Sequence, residues 1–136
     1  MIKANELRIG NCIKGMYGNC FVHTIAMISG EYVLSYMNSQ FSSSCDGLID
    51  LKDCNPIPLT REILEKFGWI WNEEANSFEK YPNGDARMHF QYREVNGSFT
   101  MFNYVLKALI AEKLYYVHQL QNLYFALTGE ELPIQL

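Results

Sequence analysis

Three sets of side chains in this sequence could do chemistry. His118, Gln121 and Asn122 stand at i, i+3 and i+4, so on a helix they share one face. An imidazole beside two carboxamides could read a base edge or a peptide backbone through directed hydrogen bonds. Trp69 and Trp71 flank Ile70, so on a strand both indoles point to one side, as a core wall or as a stacking platform for a ring-bearing ligand. Arg87, Arg93 and Lys107 supply cations that would pair the phosphates of a nucleotide stacked on either indole. The first two sets also have a purely architectural use. The amides could tie the last helix to a sheet by satisfying backbone groups, and Trp is most often a core residue.

Metal and nucleophile chemistry is poorly provided for. Cys12, Cys20, Cys45 and Cys54 come no closer in sequence than eight residues, whereas zinc sites pair cysteines about two to four apart. Free thiols are therefore expected, with no metal and no cofactor. His23 could complete a ligand set only if Cys12 and Cys20 converged on it. There is no phosphate loop, dinucleotide fingerprint, Gly-x-Ser-x-Gly elbow or His-Glu-x-x-His. Gly15-Met16-Tyr17-Gly18 reads as a turn, and His89 alternates with core candidates and so points outward. Glu73-Glu74 and Glu130-Glu131 adjoin turn signals and read as solvated faces, not as carboxylates held across a cleft.

Charge narrows the partners. Eleven Lys and Arg against fifteen Asp and Glu leave a net charge of −4, and neither half of the chain is basic. Nucleic acid is disfavoured as a partner, because binding phosphates needs a basic stripe. No apolar run approaches the ~20 residues of a membrane span, and the opening residues lack a signal-peptide core, so a cytoplasmic protein is expected. At 136 residues and 49% apolar, the chain fits one folded domain or two small lobes.

The elements that must position these residues predict an α+β fold. The first third reads as a small SH3-like β-barrel. Its strands lie at Cys12–Lys14, Phe21–Ile28, Tyr32–Tyr36 and Leu48–Leu51, with a short helical turn near Asn5–Arg8 and a polar loop from Ser39 to Gly47. Asn55-Pro56-Ile57-Pro58 marks a boundary between a lobe at 1–55 and an α+β lobe at 56–136, the two packed as one unit. Leu59–Phe67 predicts a helix, with Thr60 as its cap, Ile63, Leu64 and Phe67 as its apolar stripe and Gly68 as its stop. An antiparallel β-meander follows through Trp69–Trp71, Ser77–Tyr81, Met88–Arg93 and Ser98–Tyr104, with hairpin turns at Asn83-Gly84 and Asn96-Gly97. Val117, Leu120, Leu123, Tyr124 and Leu127 share one face of a C-terminal helix near 116–128 that stops at Gly129. Residues 106–114 keep the same phase, so either one long helix or a strand at 108–114 before a shorter helix fits the pattern.

The opening Lys3-Ala4-Asn5-Glu6-Leu7-Arg8-Ile9-Gly10-Asn11 and the closing run from Tyr116 to Leu132 resemble a family of small proteins from gut Bacteroidota and their phages. Pro56-Ile57-Pro58-Leu59-Thr60 and Phe67-Gly68 add to that resemblance, which is loose over 12–55 and 69–115. It implies a phage or mobile-element accessory protein acting inside a bacterium, and it favours the strand-then-helix alternative. It brings no catalytic or binding residues.

The functional expectation is a non-enzymatic binding protein. It would act in counter-defence by engaging a host protein, or sequester a small nucleotide signal, and it has aromatic surface suited to a homo-oligomer. The candidate ligand-binding residues are Trp69, Trp71, Arg87, Arg93, His118, Gln121 and Asn122. The alternatives are a small metal-dependent hydrolase or nuclease using His23 or His118, and an adaptor that binds peptide or nucleic acid.

Overall fold

The computed structural model describes residues 2–14, 22–29, 32–37, 47–81, 90–103 and 107–132. The expected turns at Gly15–Gly18 and Asn83-Gly84, most of the polar loop from Ser39, and the residues Cys20, Cys45, Arg87 and His89 lie outside that set. The protein is mixed α+β, with two antiparallel sheets and two α-helices, and it divides into two compact units. No helix among the described residues is long and apolar enough to cross a membrane.

Unit 1 comprises residues 1–58 together with 116–131. Its sheet runs β1 (Cys12–Lys14), β2 (Val22–Ser29), β3 (Tyr32–Met37) and β4 (Gly47–Asp50) in that order, all antiparallel. The register sets Ile13 opposite His23, and a bulge between Ile25 and Met27 shifts the β2–β3 pairing. After a 3₁₀ turn at Leu51–Asp53 the chain returns to β1, where Lys14 and Asn55 exchange backbone hydrogen bonds of 2.9 and 2.8 Å. Among the described residues no closed barrel forms. Ile2, Leu7, Ile13, Ile25 and Cys54 make the buried core beneath the sheet.

The C-terminal helix α2 (Val117–Thr128) belongs to this first unit, although its place in the sequence groups it with residues 56–136. The reason is hydrogen bonding across the length of the chain. Val117 N donates to Ile57 O at 2.9 Å, and Gln121 and Asn122 bond to the segment before β1. Gln119 Oε1 accepts from Tyr116 N at the start of the helix, and Gly129 N closes its end on Phe125 O.

Unit 2 is built from residues 59–115 with 132–135. Helix α1 (Arg61–Lys66) starts where expected: Thr60 Oγ1 accepts from Ile63 N at 3.3 Å, and Leu64 and Phe67 are buried. A five-stranded meander follows: β5 (Ile70–Asn72), β6 (Ser77–Lys80), β7 (Phe90–Val95), β8 (Ser98–Asn103) and β9 (Ala108–Leu114). Asn96 and Gly97 both take positive φ, 51° and 76°, which is the twist a tight β7–β8 hairpin needs. Residues 108–114 form a strand, so the one-helix alternative does not hold. Trp71, Phe78, Tyr92 and Met101 are successive cross-strand partners, so they line one face of the sheet.

Candidate functional site

Unit 1 brings the opening and closing stretches of the sequence together. Asn122 Oδ1 accepts from Asn11 Nδ2 at 2.9 Å and from Arg8 Nε at 3.3 Å, while its Nδ2 donates to Glu6 O at 2.8 Å. Fully buried Gln121 accepts from Cys12 N at 2.9 Å and donates to Gly10 O at 3.1 Å. Both carboxamides are therefore engaged by the segment from Glu6 to Cys12. Arg8 lies over the Phe125 ring, 4.1 Å from its centroid, and its guanidinium meets both carboxylate oxygens of Glu131. Gly10 permits that approach. Its φ is +92°, and a Cβ there would stand 3.2 Å from Glu131 Oε2.

His118 shares the helix but not the clamp. It is 1% exposed, stacks on Tyr116 at 5.8 Å between centroids, and makes no hydrogen bond through either ring nitrogen. Glu6 Oε2 stands 3.9 Å from Nε2. Burial pushes the His118 pKa below its usual 6.5, and the nearby Glu6 carboxylate partly opposes that shift. A neutral imidazole closed off from solvent cannot reach a substrate proton.

The described thiols are equally enclosed. Cys12 and Cys54 are both buried. Burial, helped by Asp53 and Asp50, pushes the Cys54 thiol up to about 11, so it stays protonated and unreactive at neutral pH. Among the described residues no three His, Cys, Asp or Glu side chains come close enough to hold a metal ion.

Unit 2 separates the two tryptophans. Trp69 is buried, edge-on to Tyr92 with centroids 5.0 Å apart. Lys80 Nζ lies 5.3 Å from the Trp69 ring and donates to Phe67 O at 2.7 Å. Trp71 is only half-buried and packs on Phe78, while the Arg61 guanidinium lies 5.3 Å from its ring centroid. Arg61 Nε donates to Glu94 Oε2 at 3.0 Å. Next to this pair is a cavity of about 40 Å³, lined also by Asn76, Phe78, Tyr92 and Phe99. The Tyr92 hydroxyl is buried without a hydrogen bond, and that burial holds its pKa well above 10.

Arg93 follows Tyr92 on β7 and so projects from the opposite face of the sheet to Trp71. There it borders a groove of about 510 Å³ with Asn72, Glu79, Tyr81 and Gln91. Arg93 Nη2 donates to Gln91 Oε1 at 3.3 Å, and Glu79 accepts from Asn72 and Tyr81. Lys107 is exposed just before β9, with φ 49°. The cation that meets Trp71 is thus Arg61, which the sequence reading did not single out. It lies ten residues before Trp71 in another element, and no periodicity links the two. Glu94 is hidden for the same reason, Arg8 stands only within the opening motif, and Glu131, expected on a solvated face, pairs with Arg8.

Compared with protein-family models, curated proteins and solved structures, the chain matches none.

Proposed function

We propose that this chain is a non-enzymatic binding protein whose recognition surface is the Trp71–Arg61–Glu94 corner of unit 2. The observation that carries the reading is accessibility. Of the groups suited to acid–base or thiol chemistry, His118, Cys12 and Cys54 are buried. The aromatic ring and charge pair on unit 2 meet solvent, with the Arg61 and Glu94 side chains 56% and 42% exposed. An aromatic anchor beside an arginine, at the mouth of a small cavity, is the composition of a binding hot spot.

The likeness to proteins of gut Bacteroidota and their phages supports a setting, that of an accessory protein working in the cytoplasm of a bacterial host. Counter-defence through a host protein fits that setting. A host protein is favoured over a nucleotide ligand, because Trp71 and Arg93 project from opposite faces of the sheet and cannot hold one base and its phosphate between them. Unit 1 we read as an SH3-like scaffold. Its four antiparallel strands, the 3₁₀ turn and the return of Asn55 to β1 support that reading.

Native mass spectrometry of the chain purified from bacterial cells tests the proposal. The expected result is a retained partner that Trp71→Ala loses and His118→Ala keeps. Turnover of a phosphoester or ester substrate that disappears with His118→Ala would overturn it.

A further inference from the structure

We propose that the cavity beside Trp71 is a cation-recognition site whose Glu94 and Trp71 contacts are held in cis by Arg61 at its rim, and that its ligand is the guanidinium of an arginine side chain on a partner protein. This names the ligand of the binding surface proposed above and rests on that reading.

The chemistry of the lining favours a cation with hydrogens to donate. Trp71, Phe78 and Phe99 present π-systems, whose faces attract positive charge. Glu94 supplies a carboxylate, and Asn76 an amide oxygen. Tyr92 backs the cavity, its hydroxyl fully buried and without a hydrogen bond. Among these residues Arg61 is the sole charged donor, and it is already paired with Glu94. An anion brought here would meet an uncompensated carboxylate once it drew Arg61 away. A guanidinium suits the lining on every count, being flat, delocalised and lightly hydrated, with five donors.

Size and occupancy point the same way. A cavity of about 40 Å³ has room for roughly three water-sized groups, enough for the tip of a side chain but not for a nucleobase. The resident cation is loosely held. Arg61 is more than half exposed and bonds Glu94 through Nε alone, at 3.0 Å, and its guanidinium lies 5.3 Å from the Trp71 centroid. Such an exposed pair is easily exchanged. A partner arginine would make the same contacts and must compete with Arg61 for them, so the plug lowers apparent affinity by the fraction of time it occupies the site.

The experiment is a titration of the full-length chain with N-acetyl-L-arginine methylamide, followed through the two indole N–H resonances in a ¹H–¹⁵N spectrum. The Trp71 signal should move, and that of buried Trp69 should stay and report an intact fold. Arg61→Ala should bind the probe roughly tenfold more tightly than the parent chain, because it removes the competitor. Glu94→Gln should abolish binding, and the neutral citrulline counterpart should leave both signals in place. Equal or weaker binding by Arg61→Ala overturns the proposal, as does equal binding of the citrulline compound to the parent chain, a comparison that needs no variant to fold. Tighter binding of free L-arginine than of the blocked form would overturn the assignment to a partner's side chain. Each of these failures leaves the broader binding reading intact, since that reading falls on other results: a partner kept by Trp71→Ala in the mass spectrum, or turnover lost with His118→Ala.

Discussion

Each unit contains an arginine laid over an aromatic ring and paired with a glutamate. In unit 1 Arg8 covers Phe125 and meets Glu131, and in unit 2 Arg61 covers Trp71 and meets Glu94. The residue types are alike, but the surroundings are not. The Arg8 side chain is 27% exposed, sits 4.1 Å from its ring and engages Glu131 through two nitrogens, with Asn122 and the Ile9 carbonyl as further acceptors. Arg61 has one nitrogen on one carboxylate oxygen and a ring more than an ångström farther away. A cation on an aromatic ring gets its role from its number of partners. Where the guanidinium is held from several sides it fastens two segments together, and where it is held from one side it can be exchanged.

Substitutions separate the two arginines by their cost. The largest effect should come from Gln121→Ala, which strands Cys12 N and Gly10 O without the carboxamide that now serves both. At about 1–3 kcal/mol for each buried unsatisfied group, the loss should be roughly 2–4 kcal/mol in denaturant unfolding followed by circular dichroism. Arg8→Ala should cost about 1–2 kcal/mol, part of it salt-dependent, because a half-exposed ion pair, a ring contact and a hydrogen bond go together. Arg61→Ala should change stability by less than about 1 kcal/mol, since an exposed pair contributes little. If Arg8→Ala and Arg61→Ala proved equally costly, the contrast between the units would collapse.

At neutral pH the smallest effect belongs to His118. Its folded-state pKa lies below the usual 6.5, so above that value both folded and unfolded chains carry a neutral ring and the full stability is present. As pH falls through 6.5 the unfolded chain takes up a proton that the buried ring refuses, and stability declines until the folded-state pKa is reached. Glu6→Gln should deepen the decline, because it removes the nearby carboxylate that favours the imidazolium. A stability profile flat between pH 7 and the onset of carboxylate titration would show that the ring is not enclosed as described.

Local signals in the sequence account for much of the architecture. Thr60 before α1, Asn96-Gly97 between β7 and β8, and the Val117–Tyr124 stripe ending at Gly129 each stood at an element boundary, because caps and turns are set by neighbouring residues. The assignment of α2 to unit 1 could not be read that way. It depends on Gln121 and Asn122 finding backbone more than a hundred residues upstream, and an i, i+3, i+4 pattern does not say which partner it faces. For the same reason the pattern misled about His118, whose neighbours are engaged while its own nitrogens make no hydrogen bond. The Trp69–Trp71 alternation separates less cleanly than expected: Trp69 lies just outside β5 and is buried, whereas Trp71 lies within it and meets solvent. Arg61 and Glu94 come from α1 and β7, and only the folded chain sets them side by side.

Pro58 and Tyr116 form a bridge where the chain leaves unit 1 and returns to it, so residues 59–115 make up a continuous insert between two adjoining points. During synthesis this has an order built in. The ribosome delivers the meander as an uninterrupted stretch that can collapse on local contacts, while the earlier sheet still lacks its helix. Until Gln121 and Asn122 emerge, the segment around Gly10 and Cys12 must satisfy its backbone with water, and a chain stalled before residue 117 would lack both the helix of unit 1 and the last residues of unit 2.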